Sequence, residues 1–261
     1  MRRILLFLLA ALVGLIAACA RPDDDGSGGA GGEPLVWPTG PAQVLASYKV
    51  GDGFVSYSWH LMEGPRLVVY SDGRAVADSR RTLTLSSGEL SALVRDLRRD
   101  LAGLGPNESA SGGMQVSDAP TTVLKVRNAA GGLHSVSAYA LGMMDGYPKR
   151  LAAARDRLDV LAQRVLASGT PYTSDRVRLV VEARDTADGA VRPWPVAVPL
   201  PPALADTSSG VRSADLNGAA AAAAAANLPG DDWQAPSPWP VLKTADGKLV
   251  AVAWRYLNPD E

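Results

Sequence analysis

The sequence predicts an α+β fold: antiparallel sheet built from hairpins, with helices packed on one face. Three observations carry this expectation. Short turns, several with an Asp-Gly pair that suits positive φ, separate apolar runs of strand length. Two longer segments carry leucines at helical spacing. The two kinds of segment follow one another as three hairpin–helix units plus a closing hairpin, an order that gathers helices against antiparallel sheet.

Val44 to Val50 reads as the first strand. Arg66-Leu67-Val68-Val69-Tyr70 and Arg74-Ala75-Val76-Ala77 flank Ser71-Asp72-Gly73 as a hairpin. Ser86 and Glu89 have the spacing of a capping box, and Leu90, Leu93, Val94, Leu97, Leu101 and Leu104 follow on one helical stripe. Thr121 to Val126 and His134 to Leu141 form a second hairpin across Asn128 to Gly132. A helix from Pro148 carries Leu151, Leu158, Leu161 and Val165; proline suits a first helical turn.

Val177 to Ala183 and Val191 to Val198, joined through Asp188-Gly189, are expected to make the third hairpin. Pro199 to Ser213, rich in Pro, Ser and Asp, reads as a loop or subdomain boundary. Asn217 to Asn227 encloses eight successive alanines, a helix by propensity with little bulk to bury. Val241-Leu242-Lys243 and Leu249 to Tyr256 close the chain as a hairpin turning at Asp246-Gly247.

Ahead of this α+β region, placed at 43–261 and divisible at 43–168 and 169–261, the chain has the marks of export. Arg2 and Arg3 precede an apolar stretch from Ile4 to Ala18, the form of a signal peptide over residues 1–18, too short for a comfortable membrane span. The stretch ends in Ile16-Ala17-Ala18-Cys19, which resembles the lipobox of bacterial lipoproteins. The resemblance implies a diacylglyceryl thioether on the Cys19 sulfur, cleavage before Cys19 and acylation of the freed amine. Such chains, at ~0.8 kcal/mol per buried CH₂, make a lasting anchor. Ala18-Cys19-Ala20 also has the form of an ordinary cleavage site, which would release a soluble protein, and an uncleaved segment would itself be an anchor. Residues 19–42, rich in Gly and Asp and without hydrophobic period, read as an acylated cysteine and a flexible tether.

Composition narrows the function classes. Cys19 is the only cysteine, so the mature chain has no internal disulfide, thiolate metal cluster or cysteine nucleophile. The net charge of −1 becomes about −3 once residues 1–18 take Arg2 and Arg3 away, which argues against a nucleic-acid-binding face. No G-x-S-x-G elbow, H-E-x-x-H pair or phosphate loop is present. The two histidines, His60 and His134, lack ligand spacing, so no metal and no cofactor are expected.

Tyr70-Ser71-Asp72-Gly73-Arg74, Ser117-Asp118-Ala119-Pro120-Thr121-Thr122, Tyr139-Ala140-Leu141-Gly142 and Pro259-Asp260-Glu261 resemble segments of actinobacterial secreted lipoproteins of unknown function. The likeness covers most of residues 43–168 and weakens beyond them. It implies a lipid-anchored protein on the extracytoplasmic face of the membrane and brings no catalytic residue.

The candidate ligand contacts are Asp118, in a loop before a strand; His134; and three of the six tryptophans, Trp194, Trp233 and Trp239. Tryptophans offer large area with few rotors to a partner or a glycan, but the favoured reading is that they cap the core where an alanine-rich helix leaves space. The leading functional reading is a non-enzymatic envelope module that binds a protein or cell-wall glycan. The alternative is a cell-wall hydrolase or esterase, which would need a serine and an acid near His60 or His134. A two-lobed solute receptor fits the length poorly.

Overall fold

The computed structural model describes residues 35, 37, 40–51, 53–112, 116–187, 191–202, 210–229 and 239–261, all within one unit spanning Pro34–Glu261. Cys19, the expected signal peptide, Trp233 and the Asp188-Gly189 turn lie outside them. Two antiparallel-dominated sheets, with helices, make up the α+β fold.

The first sheet holds eight strands: β1 (Val44–Gly51), β2 (Leu67–Tyr70), β3 (Arg74–Ala77), β4 (Arg81–Thr84), β5 (Asn107–Glu108), β6 (Thr121–Arg127), β7 (Leu133–Tyr139) and β8 (Thr170–Pro171). Their order is β5-β7-β6-β1-β2-β3-β4-β8, antiparallel except where β5 joins β7. At the turn between β2 and β3, Gly73 has φ +86, and a Cβ there would stand 2.8 Å from Leu85 O. Only glycine accommodates both demands.

Within β6, Thr122, Leu124 and Val126 alternate inward, the period-2 pattern of a half-buried strand. They face α2 (Ser87–Leu101) and α3 (Lys149–Ser168), which lie on one side of this sheet. The capping box forms as its spacing predicts: Ser86 Oγ accepts from Glu89 N at 3.3 Å, and Ser86 N donates to Glu89 Oε2 at 2.9 Å. Leu90, Leu93, Val94, Leu97 and Leu101 from α2 meet Leu151, Leu158, Leu161 and Val165 from α3 in one core. Leu35 and Trp37, assigned to the tether by composition, pack against that core.

The second sheet runs β10-β12-β13-β9-β11, with β9 (Arg176–Arg184), β10 (Arg192–Pro193), β11 (Val211–Asn217), β12 (Val241–Lys243) and β13 (Leu249–Tyr256). Here two expectations are corrected. Residues 177–183 and 191–198 do not pair with each other: β9 is central, between β13 and β11, and only Arg192 and Pro193 join the sheet, parallel to β12. Pro193, Pro195 and Pro199 cannot donate to a ladder, which keeps this segment at the edge. Strand β11 begins at Val211, inside the stretch read as a loop.

Helices also cover both faces of this second sheet. The alanine helix α4 (Gly218–Asn227) packs Ala221 and Ala224 with Val177, Leu179, Val181, Val252 and Trp254. A six-residue helix, α1 (Tyr57–Met62), sits on the opposite face with Met62 fully buried beside Val180, Ala251 and Ala253. The two alanines give the helix room to approach. Because α1 lies between β1 and β2 in sequence, it ties the first sheet to the second.

Residues after β13 close this junction. Arg255, buried, donates through Nε to Met62 O at the end of α1 (2.7 Å) and through Nη1 and Nη2 to both carboxylate oxygens of Glu261 (2.9 and 2.6 Å). Tyr70, fully buried in β2, donates to Asp260 Oδ1 at 2.5 Å, and Tyr172 donates to Leu257 O at 3.0 Å. Burial pushes the Glu261 carboxyl upward, but Arg255 and the Asn258 N–H outweigh it and hold it below the usual range.

Leu97→Ala, at a fully buried position, is expected to cost ~2–5 kcal/mol in chemical denaturation. A change within error would mean that the stripe does not carry the core. Glu261→Gln strips the buried Arg255 of its counter-charge and is expected to cost about 3 kcal/mol. Since the folded carboxyl is depressed, this stabilisation is complete above the unfolded value of 4.5 and fades as pH falls through the folded value. Melting temperatures of parent and variant should therefore converge on acidification; a constant gap would refute the ionic account.

Candidate functional site

Three connections meet at one end of the eight-stranded sheet: the segment after β1, the segment entering β6 and the turns after β7. Phe54 N donates to Asp118 O at 3.3 Å, and Ala140 N to Pro120 O at 2.9 Å. The Tyr139 hydroxyl accepts from Ala119 N and donates to Val116 O, both at 2.8 Å, so one side chain fastens the loop on either side of Asp118. Tyr147 donates to Tyr139 O in turn.

The backbone here is strained as well as fastened. Asp118 and Ala140 have φ of +59 and +53, a conformation that costs of order 1–3 kcal/mol for a non-glycine residue. Buried Ala119 and Ala140 anchor the two loops beneath, which leaves the Asp118 side chain in solvent. Gly142, at φ +90, is met by the Arg155 guanidinium from α3, which also donates to Leu141 O at 3.2 Å. A Cβ at position 142 would collide with that clamp.

These ordered loops hold apolar side chains out into water. Among the described residues nine large apolar side chains are exposed, and four of them are here: Phe54, Val55, Tyr139 and Met143. Phe54 is 86% exposed and Met143 61%. Four of nine at one end is a concentrated apolar surface, the kind that marks an interaction site, whereas single exposed residues need no explanation. The sequence offered only Gly53-Phe54-Val55, an apolar pair after a strand, as a faint signal.

Of the described residues singled out from sequence, only Asp118 belongs to this end. His134 lies opposite Val126 on β7, with Nε2 3.2 Å from Leu101 O. Val126 is five residues along β6 from Thr121, or ~17 Å at ~3.3 Å per residue, and Asp118 lies beyond the start of that strand. A triad through His134 and Asp118 is therefore excluded. His60 Nδ1 stands 3.6 Å from Oε1 of Glu63, the residue that caps α1, while Ser58 Oγ donates instead to Glu182 Oε2 at 2.9 Å. Among the described residues no three His, Cys, Asp or Glu side chains gather as a metal site requires.

Trp239 is buried beside Val180 and Val211. Trp194 is half-buried, donates to Val198 O at 2.7 Å and lines a shallow hollow of about 720 Å³ with Pro193, Val196 and Leu200. On its rim Thr244 bonds Asp246 at 2.5 Å and Lys248 pairs with Asp246 at 2.9 Å, so these polar groups are committed to one another. A sugar would find few free hydrogen-bond partners on that rim. Comparison of the chain with protein-family models, curated proteins and solved structures finds no match.

Tyr139→Phe removes both bonds that fasten the Asp118 loop. Amide exchange in that loop is expected to accelerate about tenfold, equal to ~1.4 kcal/mol of local opening, with α2 and α3 unchanged. Unaltered exchange would show that something else holds it.

Proposed function

We propose that the protein is an extracytoplasmic lipoprotein, anchored through Cys19, that serves as a non-enzymatic binding module of the cell envelope and docks a protein partner on its Phe54–Asp118–Met143 end. The observation that carries the binding reading is the concentration of exposed apolar side chains on hydrogen-bonded, strained loops. Loops fixed before binding lose little entropy on docking, so the buried apolar area is converted into affinity rather than into ordering. Aromatic and methionine side chains are also enriched at interface centres. A glycan partner is less favoured, because this end offers apolar surface with Asp118 and Asp145 as exposed acids.

The address rests on sequence: the lipobox-like Ile16-Ala17-Ala18-Cys19 and the resemblance to secreted lipoproteins. The two halves of the reading are tested separately. Cys19→Ser is expected to abolish metabolic labelling with palmitate; persistent labelling would sink the anchor. A photo-crosslinking residue at Val55, in living cells, is expected to trap a discrete partner that is lost in the Phe54→Ser, Met143→Ser double variant. The control is Leu133→Ser, exposed at the far end of β7, which should leave the band intact. If the double variant crosslinks as well as the parent, the partner docks elsewhere.

A further inference from the structure

A second concavity is independent of the loop end. It is a cleft of about 480 Å³ where the β3–β4 turn and β8 of the first sheet face α4 and β13 of the second. Asp78 and Ser79 take φ of +50 and +55 at that turn, so the chain reverses on two non-glycine residues. Ser79 lines the cleft and is 3% exposed, and its hydroxyl has no hydrogen-bond partner among the described residues. Buried polar atoms are nearly always paired, so an orphaned hydroxyl on the wall of a cleft calls for an acceptor. A serine has staggered χ1 positions among which its Oγ can follow one.

The other lining groups define that acceptor. Arg80 and Arg81 are exposed on the same wall, and no described lining residue is acidic. Arg81 Nη1 donates to Gly169 O at 3.3 Å, with its remaining N–H groups unspent among the described residues. Tyr256, half-buried, is held edge-on by Tyr172 and Trp254 at ring distances of 6.2 and 5.3 Å, and its hydroxyl has no partner among the described residues. Arg255 also lines the cleft, but its guanidinium is committed to Met62 O and Glu261.

We infer that this cleft binds a phosphate ester of a compact polyol or sugar. Donors from three elements, the β3–β4 turn, β4 and β13, line the cleft. A tetrahedral phosphate offers oxygens to all of them, whereas a planar carboxylate offers two; guanidinium forks also match phosphate geometry. The volume exceeds what phosphate alone would fill, and Pro171, Leu228 and the Tyr256 ring supply an apolar wall for the carbon skeleton.

The test uses the full chain in detergent, with the fluorescence of Trp254 and its fellow tryptophans as reporter and calorimetry as a second readout. Probes are inorganic phosphate, glycerol 3-phosphate, glucose 1-phosphate and the uncharged glycerol and glucose. Either phosphate ester is expected to bind, more tightly than inorganic phosphate, with the uncharged probes silent. Preference for glycerol 3-phosphate assigns a headgroup or polyol-phosphate polymer as the source; preference for glucose 1-phosphate assigns a sugar phosphate. Ser79→Ala and Arg81→Gln should each weaken binding about tenfold. The melting temperature of Ser79→Ala should not fall, because the lost hydroxyl has no internal partner. No ester binding up to about 10 mM, a millimolar limit beyond which affinity is too weak to be specific, overturns the inference. So does equal binding by both variants, or a clear drop in melting temperature for Ser79→Ala.

Discussion

The structure depends on one buried cation. Arg255 leaves the face of β13 that carries Ala251 and Ala253 and reaches both the end of α1 and the Glu261 carboxylate. A guanidinium taken out of water is costly unless its donors are met, and here the α1 carbonyl and a bidentate carboxylate meet them. The positive charge also stands at a helix C-terminus, where the backbone dipole favours it. Through this residue α1, which belongs by sequence to the first sheet, becomes part of the second, and Asp260 is brought to the Tyr70 hydroxyl.

The loop end and the cleft use this scaffold differently. At the loop end, rigidity is local: Tyr139 and Arg155 fix the turns from beneath, and the strain at Asp118 and Ala140 is borne by strands paired along their length. The cleft is made by the relation of the two sheets, since neither wall alone would enclose it. Anything that loosened the junction at Arg255 would open the cleft before it disturbed the loops.

Much of the fold was legible because its signals are local. The Ser86–Glu89 box and its leucine stripe name α2, the Asp72-Gly73 and Asp246-Gly247 turns name two hairpins, and the alanine run names α4. Helix α1 was not legible, because six residues are too few to establish a period and its partners lie on β9 and β13. The segment holding Trp194 misled because its apolar residues resemble a strand, while its prolines confine it to an edge. The tryptophans were only half legible for a different reason: whether an indole caps a core or faces a partner depends on what packs against it, and Trp239 and Trp254 are buried, as the favoured core-capping reading has it. The two candidate sites were the least visible. Exposure of Phe54 and Met143 follows from the meeting of three distant loops, and Ser79 takes a left-handed conformation without the glycine that would have announced it.

The bond from Arg255 to Met62 spans 193 residues of chain. Loop closure over such a distance must come before the contacts that reward it, which slows folding. In a chain that emerges from its N-terminus, α1 must wait, with Met62 and Trp59 uncovered, until nearly the last residue is available. The central strand β9 likewise gains its neighbour β13 only at the end. The second sheet is therefore assembled after the chain is complete, so during synthesis the molecule holds a folded first sheet beside an unfinished second one.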